Sequence, residues 1–125
     1  VAEGSGENLF VVKDGALVTP PLTANILPGI TRSCVMQMAK DELGLETVER
    51  PVGRAELYLA DEVFLTGTAA HVTPMGALDH RLIGDGEGGP ITKSIQDLYF
   101  KAIRGALPKY RDWCVEVIPA PLAKV

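Results

Sequence analysis

The sequence of 125 residues contains no run of lysines and arginines. Its 12 basic side chains are scattered among 16 acidic ones, for a net charge of −4. No basic surface is therefore on offer to a phosphate backbone, and nucleic acid is excluded as an expected partner. Long apolar runs are missing too: the stretch Val115-Glu116-Val117-Ile118 falls far short of the about 18 residues that a membrane span needs, so no membrane partner is expected. No charged-then-apolar leader precedes the fold, and a soluble, cytoplasmic protein is the expectation. The two cysteines, Cys34 and Cys114, form neither a CxxC pair nor a disulfide framework, and both are expected to be buried apolar residues. The histidines His71 and His80 stand too far from other ligands to suggest a metal, and none is expected. There is also no methionine at position 1. The chain starts on Val1 and enters an informative loop within three residues, which reads as a fragment. What is present is 46% hydrophobic and 22% charged residues, the composition of one ordinary globular domain with a real core.

Residues 8 to 19, NLFVVKDGALVT, predict a hairpin turning at Asp14-Gly15, which Pro20-Pro21 ends. Ile30, Cys34, Val35, Met38 and Leu43 recur at helical spacing and predict a helix over 30–43, with Gly44 as its C-cap and Met36 and Met38 as core fillers. LETVERPV predicts a short strand broken at Pro51, RAELYLADE a helix, and VFLTG a strand. HVTPMGALDHRLI predicts another hairpin, with Asp79-His80 near its turn. After the glycine-rich GDGEGGP, Pro90 suits the first turn of a helix with Ile91, Ile95, Leu98, Ala102 and Ile103 on one face, closed by Gly105 and Pro108. Strands and helices intersperse without repeat or linker, so residues 1–125 are expected to form a single α/β or α+β domain.

Three loops carry chemistry. In Glu3-Gly4-Ser5-Gly6-Glu7-Asn8 the glycines let the backbone approach a ligand closely, and Glu3 or Glu7 could project into a cleft; the same residues also fit a flexible acidic turn before a strand. In Leu27-Pro28-Gly29-Ile30-Thr31-Arg32 the helix opens with free N–H groups and a threonine hydroxyl, a setting for one phosphate, although Thr31 could equally be a cap. The pattern is not that of a nucleotide P-loop. In Thr66-Gly67-Thr68-Ala69-Ala70 small residues leave amides open to phosphate or carboxylate, or form a tight inter-strand turn. Asp61-Glu62 fits a charged patch, a cap or a metal-ligand pair, of which the first two are the more common.

Taken in order, EGSGENLFVVKDG, ILPGITR, ELYLADEVFLTGTAAHVTP and IGDGEGGPIT resemble the C-terminal half of a fold-type IV pyridoxal-phosphate aminotransferase, specifically the branched-chain amino-acid aminotransferases, over residues 1 to 105. The resemblance implies a mixed sheet or pseudo-barrel with flanking helices. It implies pyridoxal 5'-phosphate as cofactor, with Glu3 against the pyridine nitrogen, where a carboxylate favours the protonated ring. It further matches Ile30, Thr31 and Thr68, next to Gly67, to the phosphate cup, and Leu27 to the ring face. Thr68, Ala69 and Ala70 match the site of the substrate α-carboxylate, Gly6 and Glu7 the supporting network, while Asn8 is read as structural. The family's Schiff-base lysine, its phosphate-binding arginine and its smaller N-terminal domain have no match: Lys13, Lys40, Lys93, Lys101, Lys109 and Lys124 all stand in other contexts. No catalytic lysine is assigned, and the isolated chain is expected to be inactive. The parent protein is expected to be a dimer or higher homo-oligomer that exchanges an amino group between leucine, isoleucine or valine and 2-oxoglutarate. A D-amino-acid aminotransferase, an aminodeoxychorismate lyase or a non-catalytic binding domain on the same fold is the alternative.

Overall fold

In the computed structural model, residues 1–115 and 117 are described; Lys124, and Glu116 and Ile118 of the Val115–Ile118 stretch, lie outside them. Strands β1 (Asn8–Lys13) and β2 (Ala16–Thr19) form the expected hairpin. Asp14 and Gly15 both have positive φ, 51° and 76°, the twist that a two-residue hairpin turn demands. Helix α1 (Ile30–Leu43) ends where Gly44 takes the left-handed conformation and returns its N–H to the Ala39 carbonyl. Strand β3 (Thr47–Glu49), helix α2 (Arg54–Leu59) and strand β4 (Glu62–Gly67) follow. The predicted second hairpin divides. Strand β5 (His71–Pro74) pairs with β4, and only β6 (Ala77–Leu78) and β7 (Arg81–Leu82) form a hairpin, turning at Asp79-His80. Helix α3 (Pro90–Ile103) opens on its proline.

The order β3-β2-β1-β4-β5 makes a mixed sheet, antiparallel except for β2 beside β3. Alternation along β1 and β4 divides the core. Phe10, Val12 and Phe64 face α1 and α3, where they meet Val35, Ala39 and Ile95; Leu9, Val11 and Val63 face α2 and meet Leu57 and Ile83. The fully buried rings of Phe10 and Phe64 stack at 5.0 Å between centroids, and burying each contributes about 1.5–3 kcal/mol. Two helix positions depart from expectation: Ile30 is 83% exposed and Ile103 is also exposed, while Arg32 is buried and paired with Glu49 at 2.6 Å. Ile30 opens the helix over a cleft, where no packing partner awaits it.

Asp61 and Glu62 serve turns and caps. Asp61 accepts the Asp14 amide at 2.8 Å and lies 3.7 Å from the Lys13 ammonium. Glu62, buried in β4, accepts the Ile91 and Thr92 amides at 3.2 and 2.7 Å, so it caps α3 from another element. Its carboxylate sits where a Gly89 side chain would stand, which explains the glycine there. Among the described residues no cluster of histidine, cysteine and carboxylate groups could hold a metal. No described helix is long and apolar enough to cross a membrane. The cysteines correct another expectation: Cys34 is half-buried, and burial pushes its thiol pKa up, whereas Cys114 is exposed. Met38 is fully buried and Met36 packs partly against the core.

Candidate functional site

At the end of the sheet where β1 begins and β4 ends, three loops enclose a cleft of about 490 Å³. Residues 3–8 form one wall, 27–31 a second and 66–69 a third, so segments far apart in sequence meet because Asn8 pairs with Thr66 across the two central strands. The first wall is a turn closed by the Gly4 amide on the Glu7 carbonyl at 2.8 Å. It is joined to the second wall twice: the Leu27 amide donates to Glu3 Oε2 at 3.0 Å, and Asn8 Nδ2 donates to the Leu27 carbonyl at 2.9 Å. Asn8 fills the space a Gly29 side chain would take. Glu3 keeps Oε1 unengaged among the described residues and aims a carboxylate at the cleft edge. Glu7 accepts the Gly6 amide at 3.2 Å, which fixes the turn.

The second wall carries the start of α1. Its N-cap is Gly29, with no side-chain cap, and its first turn has no acidic residue. The helical ladder starts with the Ser33 amide on the Gly29 carbonyl, so the amides of Ile30 and Thr31 and the positive end of the helix dipole face the cleft. Thr31 lies inside the helix and does not cap it. Leu27 is 70% exposed, an apolar surface beside the polar donors. The third wall is a tight turn between β4 and β5 and also a wall of the cleft; Gly67 lets it come within contact of the Gly6 carbonyl.

The structure thus brings together Glu3, Gly6, Glu7, Leu27, Ile30, Thr31, Gly67, Thr68 and Ala69, and leaves Ala70 just off the wall, its carbonyl taken by the Thr73 hydroxyl at 2.5 Å. The sequence reading places Thr66 in the third loop but gives it no role of its own. Its Oγ1 is buried without a partner and it lines the cleft; strand alternation from Phe64 holds the signal, since it sets residue 66 on the face of α1. Among the described residues no lysine, arginine or histidine lines the cleft, and the anion donors they offer are amides and hydroxyls.

The family model for amino-transferase class IV matches residues 1–78. The chain is 56% identical over 117 residues to a protein of Aquifex aeolicus named probable branched-chain-amino-acid aminotransferase, and 49% identical over 117 residues to the branched-chain-amino-acid aminotransferase of Escherichia coli. Each alignment takes in 94% of this chain and 38% of the relative. The branched-chain amino acid aminotransferase of T.th., complexed with N-(5'-phosphopyridoxyl)-L-glutamate, superposes with a TM-score of 0.86 at 48% identity, over 90% of this chain and 38% of that one. The Thermobaculum terrenum enzyme in its PLP form gives 0.86 at 45% identity, over 90% and 37%. The chain therefore spans well under half the length of the relatives it matches. With the family model matched over more than half of the chain and the fold shared with these structures, the protein belongs to the class IV aminotransferases.

Proposed function

We propose that the chain is the C-terminal, cofactor-binding portion of a pyridoxal-5'-phosphate aminotransferase that exchanges an amino group between branched-chain L-amino acids and 2-oxoglutarate. The observation that carries this reading is the convergence of the three loops on one cleft, with Glu3 tied to the Leu27 amide. The residues fit the cofactor. An uncapped helix start and the Thr68 hydroxyl suit a phosphate, the exposed Leu27 suits a ring face, and a carboxylate with a free oxygen suits a ring N–H. When bound, pyridoxal phosphate supplies an electron-withdrawing ring and the carbonyl through which the amino group is exchanged.

The chain's own residues would bind and orient. Ile30 and Thr31 hold the phosphate through their amides, joined by the Thr68 hydroxyl. Glu3 Oε1 holds a proton on the ring nitrogen, and its Leu27 bond fixes the carboxylate so that it need not reorganise. Amides of the Thr68–Ala70 turn anchor the substrate carboxylate beside the phosphate, and Glu7 stiffens the facing turn. A further segment of the same polypeptide would supply the lysine that anchors the cofactor and an arginine for its phosphate, since none of the described residues that line this cleft is a lysine or arginine. A homo-oligomer working in the cytoplasm completes the reading. The test is amino transfer from L-leucine, L-isoleucine and L-valine to 2-oxoglutarate by the complete enzyme, with D-alanine and aminodeoxychorismate as rival substrates. Turnover of a rival alone, or of none in protein that holds the cofactor, would overturn it.

A further inference from the structure

We propose that His71 is the positioning residue of the carboxylate-binding turn, its ring fastening the β4–β5 connection to α3. The inference rests on the reading of Thr68–Ala70 as the carboxylate anchor and adds a residue that lies outside the cleft wall. Gly67 pairs with His71 across the hairpin, so only Thr68, Ala69 and Ala70 close it. Three-residue hairpin loops commonly place a residue in the left-handed conformation where the chain re-enters the strand, and glycine is preferred there because it has no Cβ. His71 holds that conformation, with φ of 55°. In a residue with a side chain this backbone is uncommon, and its cost is offset by the turn and by the surroundings that hold it.

Those surroundings are α3. The His71 ring centroid lies 5.5 Å from that of Phe100 and 6.1 Å from that of Tyr99, tilted against both. Its Nδ1 is buried and has no hydrogen-bond partner among the described residues, so ring packing, not polar pairing, fixes the side chain. On either side of the residue the backbone is tied down: Gln96 of α3 donates to the Val72 carbonyl at 2.9 Å, and Thr73 takes the Ala70 carbonyl. The Thr68–Ala69 segment of the cleft wall is thereby held from α3, a helix that does not line the cleft.

The test compares His71→Gly and His71→Phe in the complete enzyme, by steady-state kinetics and by hydrogen exchange of the segment 66–72. Glycine suits the backbone but removes the ring. It should raise KM for both the amino acid and the 2-oxo acid about tenfold with kcat within about twofold, the pattern of lost ground-state anchoring. It should also speed exchange at 68–70, with the rest of the sheet exchanging as in wild type. Phenylalanine restores a ring and should bring KM and exchange back toward wild type. A glycine variant with wild-type KM and exchange, or a phenylalanine variant no better than glycine, would overturn the proposal. Should wild-type enzyme transfer no amino group at all, the reading of the site fails and the exchange comparison alone decides whether His71 holds the turn.

Discussion

Glu3 and Glu62 are carboxylates that accept from backbone N–H groups of other elements, and the sequence marks the two to different degrees. Glu3 stands beside Gly-Ser-Gly, a local pattern that marks a backbone built for close approach, and its partner, the Leu27 amide, lies in the next glycine loop. In the complete enzyme Glu3→Gln should lower kcat at least about tenfold with cofactor content retained, because an amide stabilises a protonated ring far less than a carboxylate does. Wild-type kcat at full cofactor content would refute that role. For Glu62 a cap is one of three readings the sequence offers, but not which helix it caps, since the amides lie about thirty residues on and become neighbours only when α3 docks on β4. Glu62→Ala should destabilise the fold by about 1–3 kcal/mol for each amide left buried and unpaired, with Glu62→Gln losing much less. Equal melting temperatures for the alanine variant and wild type, by calorimetry, would refute the cap.

Elements whose signals are local are legible in the sequence, and those defined by distant partners are not. Asp14-Gly15, Gly44 and Pro90 mark the first hairpin, the end of α1 and the start of α3, because each acts through its own backbone angles. The 71–83 stretch misleads because β5 is drawn to β4, and only the register between strands reveals that. The remaining β6–β7 hairpin is pinned to α2 through Asp79, whose carboxylate accepts from the Tyr58 hydroxyl and the Arg54 guanidinium. These bonds, Tyr58 first and Arg54 second, hold the Asp79 carboxyl below the usual carboxylate range. A folded-state pKa below the unfolded one stabilises above the unfolded value of about 3.9 and is lost as pH falls through the folded value. Amide protection of residues 77–82 should therefore be constant from pH 7 down to about 5 and decline below about 4. Asp79→Asn, which tolerates the left-handed turn but lacks the charge, should show the reduced protection already at pH 7. Identical NMR exchange profiles for variant and wild type would count against the pin.

For the whole molecule, the donor set of the cleft sets a limit: with no lysine in its walls among the described residues, the 125-residue chain alone should hold pyridoxal phosphate weakly and without a covalent bond. Borohydride reduction followed by peptide mass mapping should find no lysine labelled at full stoichiometry, and one such lysine together with turnover would refute the proposed division of the site. The exposed Leu27 and Ile30 should also make this chain prone to associate. The Asn8–Thr66 pairing that closes the cleft has a thermodynamic corollary. Both walls are ends of central strands, so the cleft has no existence in the unfolded chain, and whatever it binds is bound by the native state alone. Binding and folding are then one linked equilibrium. Free ligand at a hundredfold excess over Kd should add about 2.7 kcal/mol to the unfolding free energy. A thermal-shift titration with pyridoxal phosphate would read out affinity for the cleft even in protein that performs no chemistry, and a midpoint that never moves would mean that the cleft binds nothing.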